Sequence, residues 1–196
     1  VVQMIILGFA HRERHRISVT ISFGVIYKNI NDEGIKFGEA NHLIYYNPME
    51  CIHIGYLMPQ KGYHAWYFEL NGDPQAMEDN IRDVASTIIQ YGFPYLEMLS
   101  NEDNLINEID RTSTTTYKGR IIPIIYHMRN EKERALQYIE KSIKKISKGF
   151  TKEDYESAKR LAGEDGYFIM VENNALKYYM EFVENFKRIL NEENTD

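Results

Sequence analysis

The chain holds one cysteine, one tryptophan and five prolines in 196 residues. A single thiol, Cys51, allows no disulfide within the chain and excludes zinc sites built on two or more cysteines. That usage fits a reducing cytoplasm, the expected location. Basic residues are outnumbered, 23 against 29 acidic, for a net charge of -6. Broad nucleic-acid binding needs the opposite balance, so no nucleic-acid partner is expected. No apolar stretch approaches the roughly 20 residues of a membrane span, so no membrane partner is expected either. No signal peptide is legible, although the chain opens inside an apolar run, "VVQMIILGF", without an initiating methionine, which leaves room for an upstream segment. The dinucleotide, Walker, nucleophile-elbow and zincin signatures are all missing. Nothing in the sequence calls for a cofactor or a resident metal.

Apolar residues make up 43% of the chain, enough to bury a core as one domain or as a domain with a helical appendage. Fifteen residues are tyrosine, a side chain suited to half-buried surfaces and interfaces. Between residues 65 and 110 ten acids face one base, Arg82. Such a run is either a solvated helix face or a docking surface for a basic partner.

The first third carries the period of strands. In "ISVTISFGVIYK" the residues Ile17, Val19, Ile21, Phe23, Val25 and Tyr27 alternate with Ser18, Thr20, Ser22 and Gly24. Alternation puts one set on a core face and the other on a face that is either solvent-exposed or the floor of a ligand groove. Val1 to Phe9 reads as a second strand, joined to it through "AHRERHR" as a long hairpin. "CIHIGYLM" and "YHAWYFEL" read as two more strands, linked by a turn at Pro59-Gln60-Lys61-Gly62 and expected to be adjacent. Residues 29–50 give no clear pattern.

At Asp73 the period changes. Met77, Ile81, Val84, Ala85, Ile88 and Ile89 form a helix stripe, with Asp73 as N-cap and Pro74 as first helical residue. Gly92 and Pro94 are expected to stop that helix. Short helical pieces follow at 95–99 and 102–109. "RTSTTTYKGR" is a polar break, the best boundary between a first part, 1–110, and a helical extension, 111–196. Beyond it a helix is expected from near Pro123, a second capped by Asn130 with Glu133, a third from Thr151 and Asp154 to Gly163, and a last from Glu172 to about Asn191. The pair over 121–147 has the look of a single tetratricopeptide-like hairpin, or of a plain helix pair closing the domain.

The histidines are the natural suspects for chemistry. His11 and His15 stand four apart, but among Arg12, Arg14 and Arg16, where a divalent metal is disfavoured and a small anion, or no ligand at all, fits better. Parity groups Cys51, His53, Gly55 and Leu57 on one strand, and His64, Trp66, Phe68 and Leu70 on the next. On adjacent strands His53 and His64 would stand about 5 Å apart, and with Cys51 they would form a Cys–His pair or a metal patch. A one-residue slip would separate them. The competing reading is that they are core or rim histidines satisfied by hydrogen bonds. Trp66 reads as an anchor of sheet against helix more than as a ligand-stacking ring. The pair Asp79 and Asp83 reads as solvated.

From the first strand to about Ile109 the chain resembles a bacterial family, domain of unknown function 4304. The resemblance is carried by "VVQMIILGF", "SVTISFGVIY", "HAWYFEL" and above all "YGFPYLEMLSNEDNLINEI". The sequence departs from it in lacking a helix before the first strand and in having Trp66-Tyr67 where a double tryptophan is expected. The resemblance implies an α+β sandwich and brings no activity and no catalytic residues.

These readings converge on an α+β fold, a mostly antiparallel sheet of four or more strands packed by helices, followed by a helical C-terminal part. The function expected is a non-catalytic binding module for a basic protein, an immunity-type role being one version, with Trp66, His64, His53 and Tyr67 as binding candidates and no catalytic residue assigned. The alternative is a small hydrolase-like enzyme using His53, His64 and Cys51.

Overall fold

The computed structural model describes residues 1–13, 15–38, 48–112, 118–147 and 175–193, with isolated positions between 152 and 160. It is an α+β protein with a four-stranded antiparallel sheet. The chain divides into two compact units, Val1–Asn31 with Ile44–Arg111, and Asp32–Leu43 with Thr112–Asp196.

In the first unit β1 (Val2–Glu13) and β2 (Arg16–Ile26) form a hairpin. The long loop expected between them is absent. Pairing continues through a bulge near His11 to Glu13 opposite Arg16. The alternation in β2 sets the faces: Ile21, Phe23 and Val25 are fully buried. On the other face the Ser18 and Thr20 hydroxyls donate to the Ala10 and Gly8 carbonyls at 3.3 and 3.4 Å, so that face spends its polarity on β1.

The second edge of β2 is shared. β3 (Glu50–His53) pairs with Ser22–Val25 and β4 (Trp66–Glu69) with Arg16–Val19. The two strands expected to be neighbours therefore never pair with each other; they lie end to end along one edge. Between them residues 54–65 leave the sheet, beginning with a 3₁₀ turn, Ile54–Tyr56. Ile54 is fully buried and holds the excursion down. The Gly62 N–H donates to the Gly55 carbonyl at 3.0 Å. A Cβ on Gly55 would lie 2.0 Å from the Gly62 carbonyl oxygen, so only glycine allows this closure.

α1 (Lys28–Lys36) occupies part of the stretch with no clear pattern. α2 (Pro74–Thr87) starts as its sequence dictates, the Asp73 carboxylate accepting from the Gln75 N–H at 3.1 Å and Pro74 opening the helix. Gly92 does not end it. A π-helical turn, Ile88–Gly92, carries the chain into α3 (Phe93–Leu99), with Pro94 in its first turn. Gly92 serves packing instead: a Cβ there would lie 2.2 Å from the Phe23 ring, so the bare backbone is the socket for the sheet. α4 (Glu102–Thr112) follows. The Tyr27 hydroxyl donates to the Leu99 carbonyl at 2.8 Å, fixing the end of β2 to that of α3.

The second unit is helical among the described residues. α5 (Lys118–Met128) keeps Pro123 inside it, and starts earlier than the proline suggests. α6 (Lys132–Ser147) packs against α5 and against α7 (Ala175–Glu193). Asn130 does not cap α6. It adopts φ 57°, its N–H donating to the His127 carbonyl and that of Glu131 to the Tyr126 carbonyl, both at 2.8 Å, which closes the C-terminus of α5 in a Schellman arrangement. The helix expected from Thr151 to Gly163 lies outside the described residues. Tyr179, Phe182, Val183, Phe186 and Leu190 of α7 are all buried, as the stripe requires.

Candidate functional site

The register of β2 sorts the candidates onto opposite faces. Cys51 lies opposite Gly24 and His53 opposite Ser22, on the serine and glycine face. Trp66 lies opposite Val19 and Phe68 opposite Ile17, on the core face. Directly opposed residues share a face, so the set Cys51, His53, Trp66 is not gathered on one side. No group of three or more ligating side chains among the described residues could hold a metal ion.

His53 and His64 do approach, by a route alternation could not show: the excursion folds back and brings His64 beside Gly55. The His53 ring stacks on Tyr63 with centroids 5.1 Å apart, and the His64 ring meets Trp66 edge-on at 4.4 Å. Nδ1 of His53 accepts from the Gly55 N–H at 3.2 Å, so this imidazole is built in as an acceptor. Burial, then the neighbouring His64, lowers its pKa, while the His64 backbone works the other way. Both Nε2 atoms are buried without a partner. The arrangement holds the His53 ring in place between Tyr63 and the fold-back that carries His64.

Trp66 is buried and ties β4 to α2: its indole N–H donates to the Asp83 carboxylate at 2.6 Å. Beside it the Asn80 amide donates to the Tyr67 carbonyl at 3.0 Å. Asp83, expected to be merely solvated, is therefore an exposed carboxylate with a structural bond; Asp79 accepts from Gln75 within its own helix. Tyr67 is exposed, its ring under the Arg16 guanidinium at 4.5 Å. Arg16 also pairs with Glu69 at 3.4 Å. The side chains of His11, Arg12 and Arg14 lie outside the described residues.

The surface that sequence reasoning misplaced is α2. Its apolar stripe was expected to face the core. The stripe is divided instead: Met77, Val84 and Ile88 are half-buried on the sheet side beside Asn80, Asp83 and the buried Thr87, and Ile81, Ala85, Ile89 and Phe93 stand exposed. These four are spaced by four residues. In an α-helix such a row drifts about 40° per step. The wider turn at Ile88–Gly92 takes up that drift and keeps Phe93 near the line of Ile81. Exposed Glu78 and Glu97 stand beside the row, Glu78 in an ion pair with Arg82, while Asp79 and Asp83 lie on the other side of the helix.

One cluster gave no sequence signal at all, because its members come from three helices. Nε2 of the buried His127 lies 3.5 Å from the Glu33 carboxylate and 3.3 Å from that of Glu193. Its ring meets Phe37 and Phe186 edge-on. This is a packed polar centre of the second unit. A hollow of about 520 Å³ along α6 is lined, among the described residues, by Gln137, Glu140, Lys141, Lys144 and Lys145, all on one helix.

Comparisons with family models, curated proteins and solved structures found no match to this chain. No helix among the described residues is long and apolar enough to cross a membrane.

Proposed function

We propose that the protein is a non-catalytic binding module whose α2 ridge takes a basic protein partner. The observation that carries this reading is the exposed row Ile81, Ala85, Ile89 and Phe93, with Glu78 and Glu97 beside it on a chain of net charge -6. Large apolar side chains in line on a surface helix, edged by carboxylates, match a partner segment that offers apolar anchors among lysines and arginines. The acids steer the encounter and the anchors supply affinity. A basic toxin or effector bound by an immunity-type protein belongs to this chemistry. The resemblance of the first half to domain of unknown function 4304 adds no activity to the reading.

The test uses the immobilised chain as bait at low salt, with captured proteins identified by mass spectrometry. A basic protein should be recovered, be released as salt rises, and bind at least about tenfold more weakly to an Ile89→Ser, Phe93→Ser double variant. Recovery of nothing at low salt, or equal recovery by the double variant, overturns the proposal.

A further inference from the structure

Among the described residues strand β1 is an edge of the sheet, and an undefended one. The Met49 N–H donates to the Val25 carbonyl at 2.8 Å, which turns the Val25 backbone groups toward β3. Alternation along β2 then turns those of Gly24, Ser22 and Thr20 toward β1, where they meet Met4, Ile6 and Gly8. The backbone N–H and C=O groups of Gln3, Ile5, Leu7 and Phe9 therefore point away from the sheet, and among the described residues nothing bonds to them. Edge strands ordinarily carry lysine, proline or an early bulge to block further pairing. Residues 1–10 contain no charged side chain and no proline, and the bulge comes only near His11.

The side chains add to the backbone. Val1, Val2, Ile5, Ile6, Leu7 and Phe9 are all exposed, from 37% at Ile6 to 68% at Phe9. We infer that β1 pairs antiparallel with β1 of a second copy of this chain, joining the two sheets across a two-fold axis. Three features favour a second copy over another partner. The strand is neutral, so it carries no charge pattern to select a foreign chain, in contrast to the acidic ridge. A two-fold through Ile6 sets Ile5 against Leu7 of the second copy and Gln3 against Phe9 of the second copy, which matches outward-pointing residues with one another and keeps every side chain on its own face. Pairing along strands roughly 30 Å long also sets the exposed Ile5, Leu7 and Phe9 of each copy beside their counterparts on one face, where part of their apolar surface is covered.

This pairing is independent of the ridge and has the opposite salt response. The interface is apolar, and each chain carries a net charge of -6, so salt should strengthen it by screening repulsion between the copies. Sedimentation of the whole chain over a concentration series, with amide hydrogen exchange on the same samples, tests it. The expected result is a mass twice the 23.1 kDa of one chain, with the Ile5, Leu7 and Phe9 amides protected in the dimer. An Ile5→Lys, Leu7→Lys variant should be monomeric, keep its circular dichroism and keep partner capture on the ridge. A monomer at every concentration overturns the inference. So does a dimer whose β1 amides exchange freely, and so does a monomer whose β1 amides are protected, since another segment would then cover the edge.

Discussion

Helices α2 and α7 have the same kind of sequence, an apolar stripe at helical spacing, and opposite fates. In α7 the stripe is the core of the second unit: Tyr179 and Phe186 are fully buried, and Phe37 stacks on Phe186 with centroids 4.8 Å apart. In α2 half of the stripe is left outside, Ile81 54% and Ile89 62% exposed, while Met77, Val84 and Ile88 are half-buried and a threonine and two polar side chains face the sheet. Periodicity reports that a helix has an apolar side; whether that side finds a partner in its own chain depends on the neighbouring elements. α2 is held in part by directed bonds, Asp83 to Trp66 and Asn80 to Tyr67, and the row from Ile81 to Ile89 stays outside.

The contrast can be broken by mutation. Phe186→Ala should cost about 3–5 kcal/mol and melt the second unit cooperatively. Ile89→Ala, an equally apolar position on α2, should stay within about 0.5 kcal/mol of wild type. Equal losses in thermal unfolding would mean that the α2 stripe is part of a core after all. A smaller effect is expected at the junction of α2 and α3. Gly92→Ala forces a methyl into the Phe23 ring and should cost about 1–3 kcal/mol by overpacking. A neutral result in urea titration would show that the sheet does not use that socket. The smallest effect concerns acid. Because the pKa of His53 is lowered in the folded state, protonation favours the unfolded chain. Stability from this group is complete above its ordinary value near 6.5 and declines as pH falls through it toward the lowered one. A His53→Asn variant should show a flatter dependence over that window, and an unchanged slope would refute the assignment.

Much of the architecture was legible because it rests on local rules. Alternation placed β2 and its core face, and the sequence Asp73-Pro74 marked the start of α2. What was not legible depends on tertiary register. Whether β3 and β4 pair with each other or lie end to end is decided by which residues of β2 they find, and no period in "CIHIGYLM" or "YHAWYFEL" encodes that choice. Gly92 next to Pro94 has the composition of a helix stop, yet the glycine answers to a phenylalanine 69 positions away. Asn130 looked like an N-cap and is the left-handed residue that ends the helix before it. His127, Glu33 and Glu193 meet only because three helices do. The candidates His53, His64, Trp66 and Tyr67 lie near one another in sequence, but the sheet distributes them between two faces and a fold-back.

Trp66 is the only indole in the chain, and it reports from one place. Its ring is buried in the first unit, with its N–H on a carboxylate at 2.6 Å. Tryptophan emission, excited at wavelengths where tyrosine does not absorb, is therefore a private optical signal of the β4–α2 joint and is silent about the second unit. Followed beside far-ultraviolet dichroism, to which the helices of both units contribute, it gives each unit its own unfolding curve without any label.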